Sequence, residues 1–154
     1  KKIIWALKYR SITDAWAEVI RSISSDIRSR MTIIKKIKKP FVVQPIPLHN
    51  NRLRFRGFNQ SFFIAKFLSS VLKFPVVDEI YRSKETKPQV KLPSSLERLK
   101  NVQNAFQPKI KNKVNRFIIL TDDVITSGST IKEATRTLKR NGSKLVFAVT
   151  LAAG

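Results

Sequence analysis

The sequence predicts an α/β fold in which an open, mainly parallel sheet is flanked by helices. Two observations carry this prediction. Residues Phe117 to Leu120 form a continuous apolar run, which is typical of a strand buried on both faces of a parallel sheet. A helical pattern and a second apolar run, Leu145 to Leu151, follow it, and a strand–helix–strand unit of this kind connects parallel strands through a right-handed crossover.

The amino-terminal part of the chain has the pattern of an amphipathic helix. Apolar residues recur from Ile12 to Ile34 with the three-and-four spacing of one helix face. Ser11 and Asp14 fit a capping box at its start, and Pro40 prevents the helix from continuing. We therefore predict one globular domain, with an amphipathic helical segment over residues 1–40 packed on an α/β core over residues 41–154.

The next elements alternate between strand and helix patterns. Phe41 to Ile46 is predicted to be a short strand that ends in a proline-punctuated turn. A polar loop containing three arginines is expected over residues 48–56. Gly57 to Phe74 has the pattern of a buried helix that begins near Asn59, a residue that favours helix N-caps, and ends before Pro75.

Prolines and one glycine turn separate the predicted elements in the middle and at the end of the chain. Val76 to Tyr81 is predicted to be an edge or connecting strand, Arg82 to Pro93 a mobile loop, and Ser94 to Val102 a short helix. The helix between the two apolar runs is predicted to start at Thr130, capped by Thr130 with Glu133, and to end at Asn141-Gly142.

Composition excludes several classes of protein. The 154 residues include no cysteine, which excludes a disulfide framework and a cysteine-ligated zinc site. No apolar run approaches the roughly 18 residues that a membrane span needs, and the sequence does not open with a signal-peptide pattern, so a cytoplasmic location is expected. The formal charge of +21 is explained either by a surface that attracts polyanions or by a compositional bias.

The segment from Phe117 to Thr130 carries the most specific chemistry. The strand delivers two adjacent carboxylates, Asp122 and Asp123, to its carboxyl end, where open α/β sheets bind ligands. A turn containing Gly128 and several hydroxyl groups then enters a helix, and such a turn cradles phosphate with backbone N–H groups. Because carboxylates repel phosphate, they are expected to hold sugar hydroxyls or the water shell of Mg²⁺. The alternative is an N-capping loop in which Asp123 caps the helix.

Two sets of motifs resemble known families. Residues 118–130 resemble the ribose-phosphate signature of type I phosphoribosyltransferases, in which two acidic residues hold the ribose 2- and 3-hydroxyls of phosphoribosyl pyrophosphate (PRPP) and the turn takes the 5-phosphate. The segments Pro45-Ile-Pro-Leu-His49, Arg52 to Gln60, Lys87-Pro-Gln89 and Glu97-Arg98 with Asn101 resemble the ComF family of bacterial competence-associated proteins. Many members carry a cysteine-rich zinc ribbon ahead of this domain, which is either cut off or absent here.

This resemblance implies a type I phosphoribosyltransferase (Rossmann-like) fold and a Mg²⁺-dependent transfer from PRPP. It implies catalytic roles for Asp122 and Asp123, with Mg²⁺ held near them through PRPP and water and with no direct protein ligand. The 5-phosphate turn would comprise Val124, Thr126, Ser127, Gly128, Ser129 and Thr130. The pyrophosphate loop would comprise Leu48, His49, Arg52, Arg54 and Arg56, of which only one or two arginines are expected to touch the ligand. Gln60 and Gln89 would lie on the acceptor side, under a mobile hood.

The resemblance also implies partners. These are PRPP or pyrophosphate and, through the link to DNA uptake or nucleotide metabolism, single-stranded DNA, competence proteins and a second copy of the chain in a homodimer. An alternative function is a non-catalytic competence factor that senses PRPP and binds single-stranded DNA. A nucleotide-metabolism enzyme with no DNA role is a further alternative. The sequence does not identify the acceptor.

Overall fold

The computed structural model describes residues 36–86, 94–110 and 116–153, together with positions 14, 18, 29 and 34. In chain order its elements are β1 (Phe41–Pro45), α1 (Asn50–Arg56), α2 (Gln60–Leu72), β2 (Ile80–Arg82), α3 (Ser95–Val102), β3 (Phe106–Pro108), β4 (Phe117–Ile125), α4 (Ser129–Arg140) and β5 (Leu145–Ala153). The predicted amino-terminal helix lies almost entirely outside the described residues and stays a prediction. None of the helices described is long and apolar enough to span a membrane.

Three parallel strands in the order β1-β4-β5 form the main sheet. Phe41 lies opposite Phe117, which lies opposite Leu145, so the carboxyl ends of the strands meet at one edge. The predicted α/β fold with an open parallel sheet is therefore confirmed.

Helices cover both faces of this sheet because neighbouring strand residues point in opposite directions. Val43 and Ile119 are buried on the face that packs against α2. Val42 and Ile118 are buried on the other face, in the cluster that includes Ala134 and Leu138 of α4. Strands buried on both faces require the continuous apolar runs seen in the sequence.

The segment predicted as a strand over residues 76–81 divides into two parts. Val76 makes a single parallel bridge to Val43, after which the chain leaves the main sheet. The Oε1 atom of the buried Gln44 then accepts a hydrogen bond from the backbone N–H of Glu79 at 2.7 Å. Residues Ile80 to Arg82 form β2, which pairs antiparallel with β3 and not with the main sheet. The predicted strand boundaries were wrong because the Gln44 side chain, and not a further backbone carbonyl of β1, accepts the hydrogen bond from Glu79.

The polar loop predicted over residues 48–56 contains a helix, α1. His49 is its N-cap, and the His49 Nδ1 atom accepts a hydrogen bond from the N–H of Asn51 at 3.3 Å. Gly57, with a left-handed backbone at φ 81°, ends the helix and donates to the carbonyl of Leu53. The helix buries none of its residues, so it lacks the apolar periodicity by which a helix is recognised in sequence.

The other helices start close to their predicted positions. Helix α2 begins at Gln60, and Asn59 is the predicted N-cap, which accepts from the N–H of Ser61 at 3.1 Å. Residues 57–59, which the helical pattern included, lie before the helix. Helix α3 matches the predicted short helix. The predicted cap of α4 by Thr130 was wrong, because the helix starts at Ser129 and its N-cap is Gly128, which supplies no side chain.

Candidate active site

A cavity of about 480 Å³ opens at the carboxyl ends of β1 and β4. It is lined by side chains from the connection after β1, both following helices, the end of β2 and the turn after β4. These are Ile46, Leu48, Arg52, Phe55, Arg56, Gln60, Ser61, Arg82 and residues 122–131. The structure thus brings together both predicted acidic residues, the whole predicted 5-phosphate turn, Leu48, two of the three predicted arginines and Gln60. Gln89 lies outside the described residues.

Asp122 is the better anchored of the two acidic residues. Its Oδ1 atom accepts hydrogen bonds from the Ser61 hydroxyl at 3.0 Å and from the N–H of Asp123 at 3.0 Å. The buried hydroxyl of Thr121 donates to the carbonyl of Ser61 at 2.9 Å. The first turn of α2 is therefore tied to the end of β4, and this fixes the Asp122 carboxylate at the cavity wall. Ser61 was not predicted to belong to the site, because it lies 61 positions away from Asp122 in the chain.

Asp123 does not cap a helix. Its Oδ1 atom accepts from the N–H of Val124 at 2.8 Å, within the same strand. The alternative in which Asp123 caps the following helix is therefore wrong. Both carboxylates line the cavity, and neither lies in the hydrophobic interior.

The surroundings of Asp122 raise its pKa from 3.8 to about 6. Burial is the largest cause, and repulsion from the neighbouring Asp123 carboxylate is the second. The hydrogen bonds from Ser61 and from the N–H of Asp123 oppose the rise. A carboxylate pair that is short of compensating charge is suited to binding hydroxyl donors or a cation.

We expect stability to depend on pH through Asp122. The folded state binds the Asp122 proton more tightly than the unfolded state does, so protonation of Asp122 stabilises the fold. This contribution to stability is fully present below pH 3.8 and is lost as the pH rises through about 6. As the pH rises from 4 to 7, the unfolding free energy of Asp122→Asn should therefore increase by roughly 2 kcal/mol relative to that of the unmodified protein. Urea denaturation of both proteins across this range measures the difference, in which the titrating groups that do not interact with Asp122 cancel. Parallel stability curves would contradict the assignment.

The turn after β4 combines a left-handed glycine with a cluster of hydroxyl groups. Gly128 has a left-handed φ of 71°, and a Cβ there would make only an ordinary contact, 3.6 Å from Ile125 Cδ1. Glycine is thus required by the backbone conformation and not by lack of space. The hydroxyls of Ser127 and Ser129 lie 2.7 Å apart, and the Ser127 hydroxyl also accepts a hydrogen bond from the N–H of Ser129 at 3.4 Å. The N-cap residue itself, Gly128, has no side chain with which to cap the helix. The turn presents hydroxyls and the positive end of a helix to the cavity.

Helix α1 separates the three predicted arginines. Arg52 and Arg56 are four residues apart, on one face of the helix, and both line the cavity. Arg54 does not line it, and donates instead to the Asn51 side chain at 3.4 Å. His49, the N-cap, does not line the cavity either. The prediction that only one or two of the three arginines touch the ligand is consistent with this placement, because Arg52 and Arg56 share a helix face that Arg54 does not.

Arg82, which was predicted only to be the first residue of a mobile loop, also lines the cavity. It ends β2, is only 8% exposed, and its guanidinium lies 5.3 Å from the centre of the Phe106 ring. Nothing in the sequence distinguishes it from the other basic residues, because its burial depends on pairing between β2 and β3.

The comparisons with known proteins agree with this geometry. The model of the phosphoribosyl transferase domain family matches residues 59–154. The chain is 37% identical to competence protein F of Haemophilus influenzae over 110 residues, which are 70% of this chain and 48% of that protein. It is 35% identical to the DNA utilization protein YhgH of Escherichia coli O157:H7 over 111 residues, 71% of this chain and 48% of that protein. The chain thus spans about half the length of these relatives.

A solved structure shares the fold. It is a hypoxanthine phosphoribosyltransferase from Staphylococcus aureus, with a TM-score of 0.51 and 15% sequence identity, and the likeness covers 86% of this chain and 62% of that chain.

Proposed function

The chain belongs to the phosphoribosyltransferase family and, within it, to the ComF family, and from this premise we propose that it binds PRPP with Mg²⁺ and transfers the phosphoribosyl group to an acceptor. The observation that carries the proposal is the meeting of an acidic pair and a hydroxyl-rich helix-entry turn on one cavity. The volume, about 480 Å³, lies in the range of small-molecule sites.

The two halves of the cavity suit the two ends of a ribose phosphate. The carboxylates of Asp122 and Asp123 would accept hydrogen bonds from the ribose 2- and 3-hydroxyls. The turn at Ser127 to Ser129 would bind the 5-phosphate with its hydroxyls and the positive helix end. Because the acidic pair repels phosphate and the turn attracts it, the sugar has only one favourable orientation.

The reaction places opposite charges on the two fragments. The bond between ribose C1 and the pyrophosphate oxygen breaks, pyrophosphate leaves with the electron pair, and the acceptor forms the new bond to C1. The sugar passes through an oxocarbenium-like state, whose positive charge the acidic pair would favour. Holding the hydroxyls and the 5-phosphate at once fixes the sugar for attack, so positioning supplies a large part of the catalysis.

The residues present fit Mg²⁺ that arrives with the substrate. Among the described residues no group of three or more histidine, cysteine, aspartate or glutamate side chains can hold a metal ion. Mg²⁺ usually keeps several waters and is bound through one or two carboxylates together with substrate phosphates. Asp122 and Asp123 offer that number of carboxylates, and the ion would neutralise charge on the departing pyrophosphate.

A second candidate function is sensing without transfer, linked to DNA. Its supporting observation is the charge of +21, which attracts polyanions. One relative is named for DNA utilization and another for competence. In this function PRPP would bind to the same cavity, and single-stranded DNA would bind to the basic surface with an affinity that falls steeply as salt increases.

Calorimetry with PRPP and Mg²⁺ tests the proposal. We expect saturable binding of PRPP with Mg²⁺ and an affinity at least tenfold lower when the ion is chelated, because the charge of the pyrophosphate is then uncompensated. The absence of binding at millimolar PRPP with Mg²⁺ would contradict the proposal. Release of pyrophosphate on incubation with candidate nucleobase acceptors would favour transfer, whereas binding with no release in any of them would favour sensing.

A further inference from the structure

We propose that the protein forms a symmetric dimer in which helix α1 of each copy lies in an apolar groove of the other. The groove is a second cavity, of about 680 Å³, between α1, the start of α2 and the segment that leads into β2. Its apolar walls include Leu53, Phe58, Phe62, Phe63, Val77 and Tyr81. The inference does not depend on the proposed function, because it concerns a different surface of the protein.

The groove collects apolar side chains that remain exposed. Among the described residues eight large apolar side chains are exposed, and three of them, Leu53, Phe62 and Tyr81, line this groove. Their exposed fractions are 39–45%. Single exposed apolar residues need no partner, whereas several on one surface indicate an interaction site.

Helix α1 lacks the apolar burial that ordinarily stabilises a helix. It has seven residues, six of them exposed, and it buries none. A helix of this length is unstable on its own and depends on packing. Within its own chain it makes polar contacts, such as the hydrogen bond from Asn51 to Glu85 at 2.7 Å. A second copy would bury Leu53 and so supply the apolar contact that the helix lacks.

A projecting helix beside a groove is complementary to itself. In a dimer with twofold symmetry each surface meets an identical one, so one patch must supply both the convex and the concave part. Here α1 is the convex part, and the groove between Leu53 and Tyr81 is the concave part. A twofold rotation places α1 of each copy in the groove of the other, where Leu53 of one copy faces the partner's Tyr81.

The groove is also a surface at which charge opposes association little. The protein carries a formal charge of +21, so two copies repel each other. Of the charged residues that line the groove, Asp78 and Lys109 form an ion pair and Arg82 is buried. A polyanion finds no free positive charge there, whereas an identical copy meets an apolar surface without facing charge of its own sign.

Sedimentation equilibrium over a range of protein concentrations tests the proposal. We expect a monomer–dimer equilibrium with a Kd in the micromolar range. Raising NaCl from about 0.1 M to about 1 M shortens the Debye length from about 10 Å to about 3 Å, so it should screen the repulsion and lower the Kd. Association bridged by a polyanion would weaken instead. A protein that stays monomeric at millimolar concentration, or association that weakens with salt, would overturn the proposal.

Leu53→Glu and Tyr81→Glu locate the interface. Each should raise the Kd by at least about a hundredfold, because the substitution buries an unpaired charge twice in a symmetric dimer. Leu96→Glu is the matched control, since Leu96 is 60% exposed on α3 and does not line the groove. All three variants lower the net charge equally, which by itself would favour association. Equal Kd values for the groove variants and the control would overturn the proposal.

A mixture of two variants tests whether Leu53 faces the partner's Tyr81. Leu53→Glu and Tyr81→Lys should each be monomeric alone and form a one-to-one dimer when mixed, because one Glu then faces one Lys and the second contact is unchanged. The Kd of the mixture should be at least about tenfold lower than that of either variant. If circular dichroism shows that Leu53→Glu is unfolded, the reverse pair, Leu53→Lys with Tyr81→Glu, replaces it. A mixture as monomeric as its components would overturn the proposal.

Discussion

Replacing Asp122 and Asp123 together with alanine is expected to lower the affinity for PRPP with Mg²⁺ by about 10²- to 10⁴-fold. Each carboxylate would lose a charge-assisted hydrogen bond worth about 1.5–3 kcal/mol, and the two losses together correspond to this range. The variant should stay folded, because burial and mutual repulsion already oppose the ionised form of Asp122, as its raised pKa indicates.

Calorimetry of the double variant measures the loss, and thermal unfolding checks that the protein is folded. Asp78→Ala is the matched control, because Asp78 is an exposed aspartate paired with Lys109 and does not line the cavity. We expect its affinity for PRPP to equal that of the unmodified protein. Undiminished binding by the folded double variant would show that the acidic pair does not hold the sugar.

Phe41→Ala is expected to lower the free energy of unfolding by about 3–5 kcal/mol. The Phe41 side chain is 1% exposed, and its ring lies 5.6–5.8 Å from those of Phe74, Phe117 and Phe147, measured between ring centroids. Its removal leaves a cavity that these rings cannot fill without leaving their rotamers. A loss of this size is a large part of the stability of an ordinary domain.

Urea denaturation measures this loss, with Phe55→Ala as the control. Phe55 is 92% exposed, so its truncation should change the unfolding free energy by less than about 0.5 kcal/mol. Phe41 begins β1, whereas the cavity opens at the opposite end of the strands, so PRPP binding should survive in the folded fraction of Phe41→Ala. Equal losses for the two phenylalanine variants would contradict this account of the core.

The parts of the fold that were predictable are those whose signal is local in the sequence. The apolar run at the start of β4 had to be continuous because both faces of the sheet are covered there. The acidic pair and the turn were recognisable because strand, carboxylates, glycine and hydroxyls follow one another without interruption in residues 117–130. Asn59 was identified as an N-cap for the same reason, since capping depends on the next two or three residues.

The parts that were missed depend on contacts between distant segments. Helix α1 buries no side chain, so polar composition predicted a loop where His49 and Gly57 delimit a helix. Ser61 reaches the site only because α2 packs against β4. Arg82 becomes buried only through the pairing of β2 with β3. No periodicity within one segment records any of these contacts.

The buried Gln44 marks the point at which the chain leaves the main sheet. Its amide oxygen binds the N–H of Glu79 where a neighbouring strand would otherwise continue the ladder of β1. Strands β2 and β3 are consequently joined to the main sheet by packed side chains, such as Ile80 and Phe106, and not by a strand ladder. The pair of β2 and β3 can therefore shift or change in length without breaking a hydrogen bond of the main sheet, although its side chains remain part of the core.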